Sequence, residues 1–223
     1  GLPVVFAIDR AGITGDDGPS HHGVLDMALG LAIPGMTILA PSSTAELGVM
    51  LRTALDLEGP AMIRYPKGAA RVVPDDQVGA GLRARRVLAG DGEVCLLAIG
   101  KMVEAAEDAA ALLAAEGIRA SVWDVRAVRP LDPVMIADAA RHQLIVTVED
   151  GIRIGGAGAF IAQSIADLQE SRQSPPVLVL GTPTAYLPHG KPAAIHAQLG
   201  LDGPGVAASA MKALHGYKPA LTE

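Results

Sequence analysis

Four side chains able to bind an anion or move a proton sit at two places in the first third of the chain. Arg10, Asp17 and His21 lie in the stretch from Asp9 to Gly23, and Lys67 lies in Arg64-Tyr65-Pro66-Lys67-Gly68. Arg10 comes just after the apolar run Leu2 to Ile8. A guanidinium at a strand end offers a fixed fork of donors matched to phosphate or carboxylate, the alternative being an ion pair with Asp9 or Asp26. An imidazole at His21 titrates near neutrality and suits proton transfer or donation to a developing oxyanion. The plainer reading, that both His21 and His22 cap the next helix or face solvent, is the better one for His22. Asp16 and Asp17 can shift that imidazole or hold a substrate hydroxyl, although Gly15 and Gly18 beside them are equally the marks of a turn. Pro66 removes a ladder donor, so Lys67 is expected to leave its strand at the same rim as Arg10. Two cations around an acid and an imidazole suit an anionic substrate; a solvated lysine is the bland alternative.

Other polar clusters say less. The run Gly15-Asp16-Asp17-Gly18 has carboxylates but no asparagine at the distance a thiamine diphosphate metal motif requires, so no metal ligands are assigned. Gly155-Gly156-Ala157-Gly158 follows Val148-Glu149-Asp150-Gly151. Its spacing is not Gly-x-Gly-x-x-Gly and no ribose-binding acid follows, so close helix–sheet packing is expected there. Tyr186 and His189 belong to a loop after the last strand, and His189 is read as an interface residue.

The elements that must position these groups alternate along the chain. Strands are expected at 4–8, 36–39, 61–64, 94–99, 120–123, 144–148 and 177–180. Helices are expected at 23–31, 43–57, 103–115, 133–140, 156–168 and 191–199. Continuous apolar strands imply burial on both faces, hence parallel sheets covered by helices, an α/β fold. Ser43-Thr44-Ala45-Glu46 gives one helix a capping start, and Gly117 ends another. Residues 69–92, rich in Gly, Arg and Val, read as an interdomain linker with an edge strand at 82–88. Residues 1–68 hold few strands for a sheet of ordinary size and read as the latter part of a domain, with the abrupt opening strand implying a larger whole. Residues 93–216 suffice for a small domain, and 217–223 read as a frayed tail.

Composition narrows the function. Half the residues are hydrophobic and 19% charged, which excludes a disordered chain. No apolar run approaches the roughly 20 residues of a membrane span, and the first eight residues lack the basic start of a signal peptide. A net charge of −6 without a basic stripe argues against nucleic-acid binding, and 3% aromatics leave little for base or sugar stacking. The lone Cys95 lies in an apolar run, and a buried reduced thiol fits a cytoplasmic protein.

The pattern Asp9-Arg10-Ala11-Gly12, then Gly15-x-Asp17-Gly18-x-Ser20-His21-x-Gly23, resembles the signature of the 1-deoxy-D-xylulose-5-phosphate synthases, transketolase-like thiamine diphosphate enzymes. The resemblance continues through Ile33-Pro34-Gly35, Ala40-Pro41, Gly59-Pro60 and Arg64-Tyr65-Pro66-Lys67-Gly68. It then covers Val146-Thr147-Val148-Glu149-Asp150, Gly155-Gly156-x-Gly158 and Leu199-Gly200-Leu201-Asp202. It implies the latter part of a pyrimidine-binding parallel-sheet domain followed by a transketolase C-terminal-type α/β domain. The whole enzyme would condense pyruvate with D-glyceraldehyde 3-phosphate, losing carbon dioxide, to make a precursor of isoprenoids, thiamine and pyridoxal. It would do so as a homodimer with thiamine diphosphate and magnesium, whose ligands lie mostly in an N-terminal portion. Carried over, Arg10 and Lys67 hold the acceptor phosphate, while His21 and Asp17 face the reacting carbons and substrate hydroxyls. Which residues here would touch the cofactor is left unassigned. Lys67 stands where many members have arginine, Ser20 replaces a common threonine, and Gly151 a common asparagine. By itself the chain is expected to be inactive. The competing readings are a non-catalytic dimerisation module and a 2-oxoacid dehydrogenase E1 β-like segment.

Overall fold

Two mostly parallel sheets carry the chain in a computed structural model that describes residues 1–90, 92–167 and 174–217. The first sheet holds β1 (Val5–Ile8), β2 (Thr37–Leu39) and β3 (Ala61–Arg64), with α1 (Asp26–Leu31) and α2 (Thr44–Leu55) between them. Its order is β1-β3-β2-β7, where β7 (Ala127–Arg129) comes from the second half of the chain and runs antiparallel to β2. The second sheet has the order β4-β6-β5-β8-β9. Its strands are β4 (Arg85–Leu88), β5 (Val94–Ala98), β6 (Ala120–Asp124), β8 (Leu144–Ile152) and β9 (Val177–Thr182). All but the edge strand β4 are parallel. Helices α3 (Met102–Ala115), α4 (Pro133–Ala139), α5 (Ala157–Asp167), α6 (Pro192–Leu199) and α7 (Gly203–Tyr217) complete it.

The α/β class expected from the apolar runs is the one observed. Leu96, Val122 and Val146 face a layer from α3 and α7 that includes Val103, Ala106, Val206 and Ala210. On the opposite face Cys95, Leu97 and Ile145 share a cluster with Met135 and Ile161, and also with Met27, Ile38 and Met62 of the first sheet. The two halves therefore bury apolar surface against each other, the dominant favourable contribution to holding them together.

Two expectations fail and two elements were not predicted, each for a physical reason. Strand β1 is not buried on both faces: it is the sheet edge, with Phe6 46% exposed and Ala7 exposed beside it. Strand β7 was not predicted, having only three residues before Pro130. Helix α7 was hidden by Gly203-Pro204-Gly205, which reads as a turn, although proline fits a helix's first turn. There Asp202 accepts the Gly205 N–H at 2.9 Å. Strand β8 extends past Val148 through Glu149, Asp150 and Gly151, carrying two buried acids into the sheet. Ser43 caps α2 as expected, accepting the Glu46 N–H at 3.1 Å. Leu168, the expected end of one helix, and tail residues 218–223 lie outside the described residues. Among the described residues no helix is long and apolar enough to cross a membrane.

Candidate functional site

Strands β1 and β3 are paired in parallel register, Val5 with Ala61 through Ile8 with Arg64, so their C-terminal ends open on one side. The loops leaving those ends, 9–25 and 65–71, meet there. The Ala11 N–H donates to the Tyr65 carbonyl at 3.0 Å, and the Gly12 N–H to the Gly23 carbonyl at 2.9 Å, closing the first loop on itself. Two glycines are required. Gly12 has φ +73°, and a Cβ there would fall 1.7 Å from the Asp150 carboxylate. Gly15 has φ +80°, with Pro192 Cδ 2.6 Å from where its Cβ would be. Ile13 anchors the loop from below against Val24, Ile152, Leu187 and Ile195.

On this platform the structure brings together the four residues singled out by the sequence. Lys67 Nζ donates to both Asp17 carboxylate oxygens at 2.7 and 2.8 Å. Arg10 Nε lies 3.7 Å from the same carboxylate, while its Nη1 pairs with Asp9 at 2.5 Å. Arg10 holds a left-handed backbone, φ 55°, uncommon for a side chain of its size. The hydrogen bond from Lys67, with smaller help from the Lys67, Arg10 and His21 charges, holds the Asp17 carboxyl below its ordinary range. Asp17 is thus ionised at neutral pH, and Asp9 and Asp17 balance the charges of Arg10 and Lys67, with both cations about half exposed to an incoming ligand.

The histidines divide. His21 is exposed, and its Nδ1 lies 3.1 Å from Ser20 Oγ, leaving Nε2 for a ligand. His22 instead accepts the Thr14 N–H at Nδ1, 3.1 Å, and its Nε2 reaches the Pro188 carbonyl at 3.2 Å. It neither caps α1 nor faces open solvent; it ties the loop to residues 186–190. That segment, where His189 sits, packs on the first loop: the Gly190 N–H donates to the Gly15 carbonyl at 3.3 Å.

Beneath the loop lies a charge network the sequence reading missed. Arg64, 3% exposed, donates from Nε to Asp26 at 2.9 Å and from Nη1 to Asp150 at 3.1 Å. Asp26 therefore belongs to Arg64, and Arg10 has no share in it. Burial would raise the Asp150 carboxyl, but Arg64 and then Lys101, 3.4 Å away, outweigh it and hold it down to about 2. Burial raises the Asp26 carboxyl in spite of Arg64. Glu149, pushed up to about 7 by burial, accepts the Ala157 and Gly158 N–H groups at 3.1 and 2.7 Å, so it caps α5. The glycines at 155–158 serve this close packing: a Cβ on Gly158 would meet Thr147 at 2.3 Å. Adjacent acids in a continuous apolar strand are the one signal that could have revealed the network.

A second buried network ties residues 79–83 to α2 and to Arg126 between β6 and β7. Arg126 Nε donates to Glu46 of α2 at 2.7 Å, and its Nη1 to the carbonyls of Gly81 at 3.0 Å and Arg83 at 2.5 Å. Asp124 accepts from Ser42 Oγ at 2.5 Å, and burial pushes it up to about 7 despite that bond.

Two half-exposed cations, Arg10 and Lys67, can hold a single phosphate when it displaces their carboxylate partners Asp9 and Asp17, with an imidazole beside it to move a proton. Among the described residues no group of three or more His, Cys, Asp or Glu side chains converges to hold a metal ion. With Asp17 already engaged by Lys67 and Arg10, the residues of this cluster do not fit a metal-bound diphosphate.

Comparison with known proteins accords with this arrangement. The family model for the transketolase pyrimidine-binding domain matches residues 1–73, and that for the transketolase C-terminal domain matches residues 83–206. The chain belongs to the transketolase family. It is 44% identical over 213 residues to a 1-deoxy-D-xylulose-5-phosphate synthase of Chlorobium luteolum, covering 92% of this chain and 33% of that protein. Against a synthase of the same name from Geobacter sulfurreducens it is 42% identical over 215 residues, again 33% of the relative. The chain thus spans about a third of the length of the curated relatives it matches. A split-gene transketolase, described as an inactive β4 tetramer, superposes with a TM-score of 0.83 at 30% identity, over 95% of this chain and 67% of that one. A Pichia stipitis transketolase mutant shares the fold, with a TM-score of 0.77 at 18% identity over 97% of this chain and 31% of that one.

Proposed function

We propose that this chain supplies the acceptor-substrate wall of a 1-deoxy-D-xylulose-5-phosphate synthase, which condenses pyruvate with D-glyceraldehyde 3-phosphate and releases carbon dioxide. The observation that carries the reading is the convergence of Lys67 and Arg10 on Asp17 beside His21, within a chain similar to proteins of that name. The triose phosphate displaces Asp17 from Lys67 and lies between Lys67 and Arg10. Lysine there grips as a point charge, without the bidentate fork of an arginine. Asp17, released, accepts a hydroxyl of the acceptor, and His21 Nε2 donates a proton to the aldehyde oxygen as the aldehyde carbon forms the new C–C bond. Thiamine diphosphate and magnesium, which the family implies, would be held mostly by residues of the N-terminal portion of such an enzyme. The chain therefore works with the remaining two thirds of such an enzyme, as a homodimer in the cytoplasm, feeding isoprenoid, thiamine and pyridoxal synthesis.

Replacing the matching C-terminal third of the Chlorobium luteolum synthase with this chain provides the test. In that chimera His21→Ala lowers kcat by about 100-fold or more, the usual range for a positioned acid or base. His22→Ala acts mainly on loop stability, through its bonds to Thr14 and Pro188. Equal losses in kcat would remove the assignment of His21.

A further inference from the structure

The loop of residues 9–25, which carries Asp17 and His21, leans on the segment 183–190 from the far end of the chain, and one imidazole spans the seam. His22 Nδ1 accepts the Thr14 N–H at 3.1 Å, and its Nε2 lies 3.2 Å from the Pro188 carbonyl oxygen. A donor facing one nitrogen and an acceptor facing the other admit a single form of the ring: neutral, with its proton on Nε2. The seam is otherwise held by the Gly190 N–H on the Gly15 carbonyl at 3.3 Å, and by Ile13 packed with Leu187 and Ile195. Thr14 is 7% exposed, so water has little access to its N–H in place of the ring.

A second proton on His22 goes to Nδ1, where the Thr14 N–H already points. The Thr14 hydroxyl, 3.3 Å from Nδ1, can accept a hydrogen bond from that proton. The backbone N–H is then left buried without an acceptor, which is the costly half of a broken hydrogen bond. Imidazoles change charge between pH 5 and 8, so this loss falls within an ordinary range of pH. The titratable and charged groups around the ring are Asp16, Asp17 and His21 on its own loop, His189 and Lys191 on the facing segment and His196 on α6. Asp17 is taken by Lys67, Asp16 is exposed, and among the described residues no carboxylate pairs with His22 to favour its charged form.

We propose that His22 is a protonation-sensitive latch. As a neutral imidazole it holds the loop bearing Asp17 and His21 closed on residues 183–190; protonated, it releases the Thr14 N–H and lets the two segments part. The latch concerns how the loop is held, and it stands whether or not the loop binds a triose phosphate.

The test is nitrogen NMR of the histidine rings together with amide hydrogen exchange of the chain, at about pH 7.5 and about pH 5.5. At the higher pH His22 shows the form protonated at Nε2 alone. Between the two, protection factors of the Thr14 and Gly190 amides fall by about tenfold or more, the worth of one hydrogen bond. The Ala11 amide, bonded to the Tyr65 carbonyl in the same loop, changes less than about threefold. In His22→Gln, whose carboxamide offers an acceptor and a donor but takes no proton, the fall disappears. In His22→Ala the Thr14 amide is poorly protected at both pH values. The latch would be overturned by a fall as large in His22→Gln as in the unmodified chain, by no fall at all, or by a ring protonated at Nδ1 at the higher pH. A loss at Thr14 that leaves Gly190 protected would overturn it too, since the segments would then stay together.

Discussion

Removing Arg64 should unsettle the floor on which the candidate site rests, and the cost can be worked from the structure. Arg64 is almost wholly buried and holds two buried acids, Asp26 at 2.9 Å and Asp150 at 3.1 Å. Breaking a buried pair by deleting one partner costs about 3–5 kcal/mol, because the other charge is left without compensation. Part of that figure is visible in Asp150, whose carboxyl goes from an ordinary 3.8 to about 2 in the fold. At roughly 1.4 kcal/mol per unit, that difference is about 2 kcal/mol. A depressed carboxyl contributes its stability above the unfolded value, near 3.8, and loses it as pH falls through about 2. In Arg64→Met the stranded acids instead titrate above their unfolded values, so they penalise the fold when ionised and cease to do so once protonated. The loss should therefore be largest at pH 8 and smaller near pH 4. Urea unfolding at the two pH values reads it directly. Thermal melts at pH 8 should fall by about 6–20 °C for a chain of this size. Adding Asp150→Asn to Arg64→Met should recover part of the loss. A cost under about 1 kcal/mol at pH 8, or equal costs at both pH values, would refute the reasoning.

Two further outcomes follow from the same geometry. Gly12 and Gly35 share nearly the same positive φ, +73° and +74°, but only Gly12 has a neighbour, the Asp150 carboxylate, where a Cβ would stand. Gly35→Ala should cost about 1–2 kcal/mol for backbone strain, and Gly12→Ala clearly more, both by denaturant unfolding; equal costs would mean that the loop does not press on Asp150. Asp124, ordinarily 3.8 and raised to about 7, makes stability fall as pH rises between those values, since the fold disfavours its charged form. Asp124→Asn should make that decline shallower in unfolding measured from about pH 4 to 8, Glu149 retaining a contribution of the same sign; an unchanged slope would show that Asp124 is ionised throughout.

How much the sequence revealed depended on whether a signal was local. The runs Ala61–Arg64 and Val94–Ala98 announced central strands because burial on both faces leaves no polar alternation. The convergence of Lys67 with Arg10 and Asp17 was legible for a similar reason: parallel pairing of β1 and β3 forces their C-terminal loops to one rim. Contacts between distant segments were not legible. Nothing near Arg126 indicates that it reaches back 80 residues to Glu46, and nothing near Asp26 distinguishes Arg64 from Arg10 as its partner. Strand β7 depends on pairing with β2, so three residues before a proline carried no message by themselves. Edge position is likewise a property of the assembled sheet, which is why the apolar run of β1 suggested burial it does not have.

The central claim is that Arg10 and Lys67 read the phosphate of the acceptor aldehyde. In the chimera carrying this chain as its C-terminal third, the ratio of kcat/KM for D-glyceraldehyde 3-phosphate to that for unphosphorylated D-glyceraldehyde, with pyruvate as donor, measures it directly. The account predicts a strong preference for the phosphorylated aldehyde. Arg10→Ala and Lys67→Ala should each reduce that ratio by about tenfold or more, as expected for a lost charge-assisted contact. A folded, active chimera whose preference survives both substitutions would contradict it.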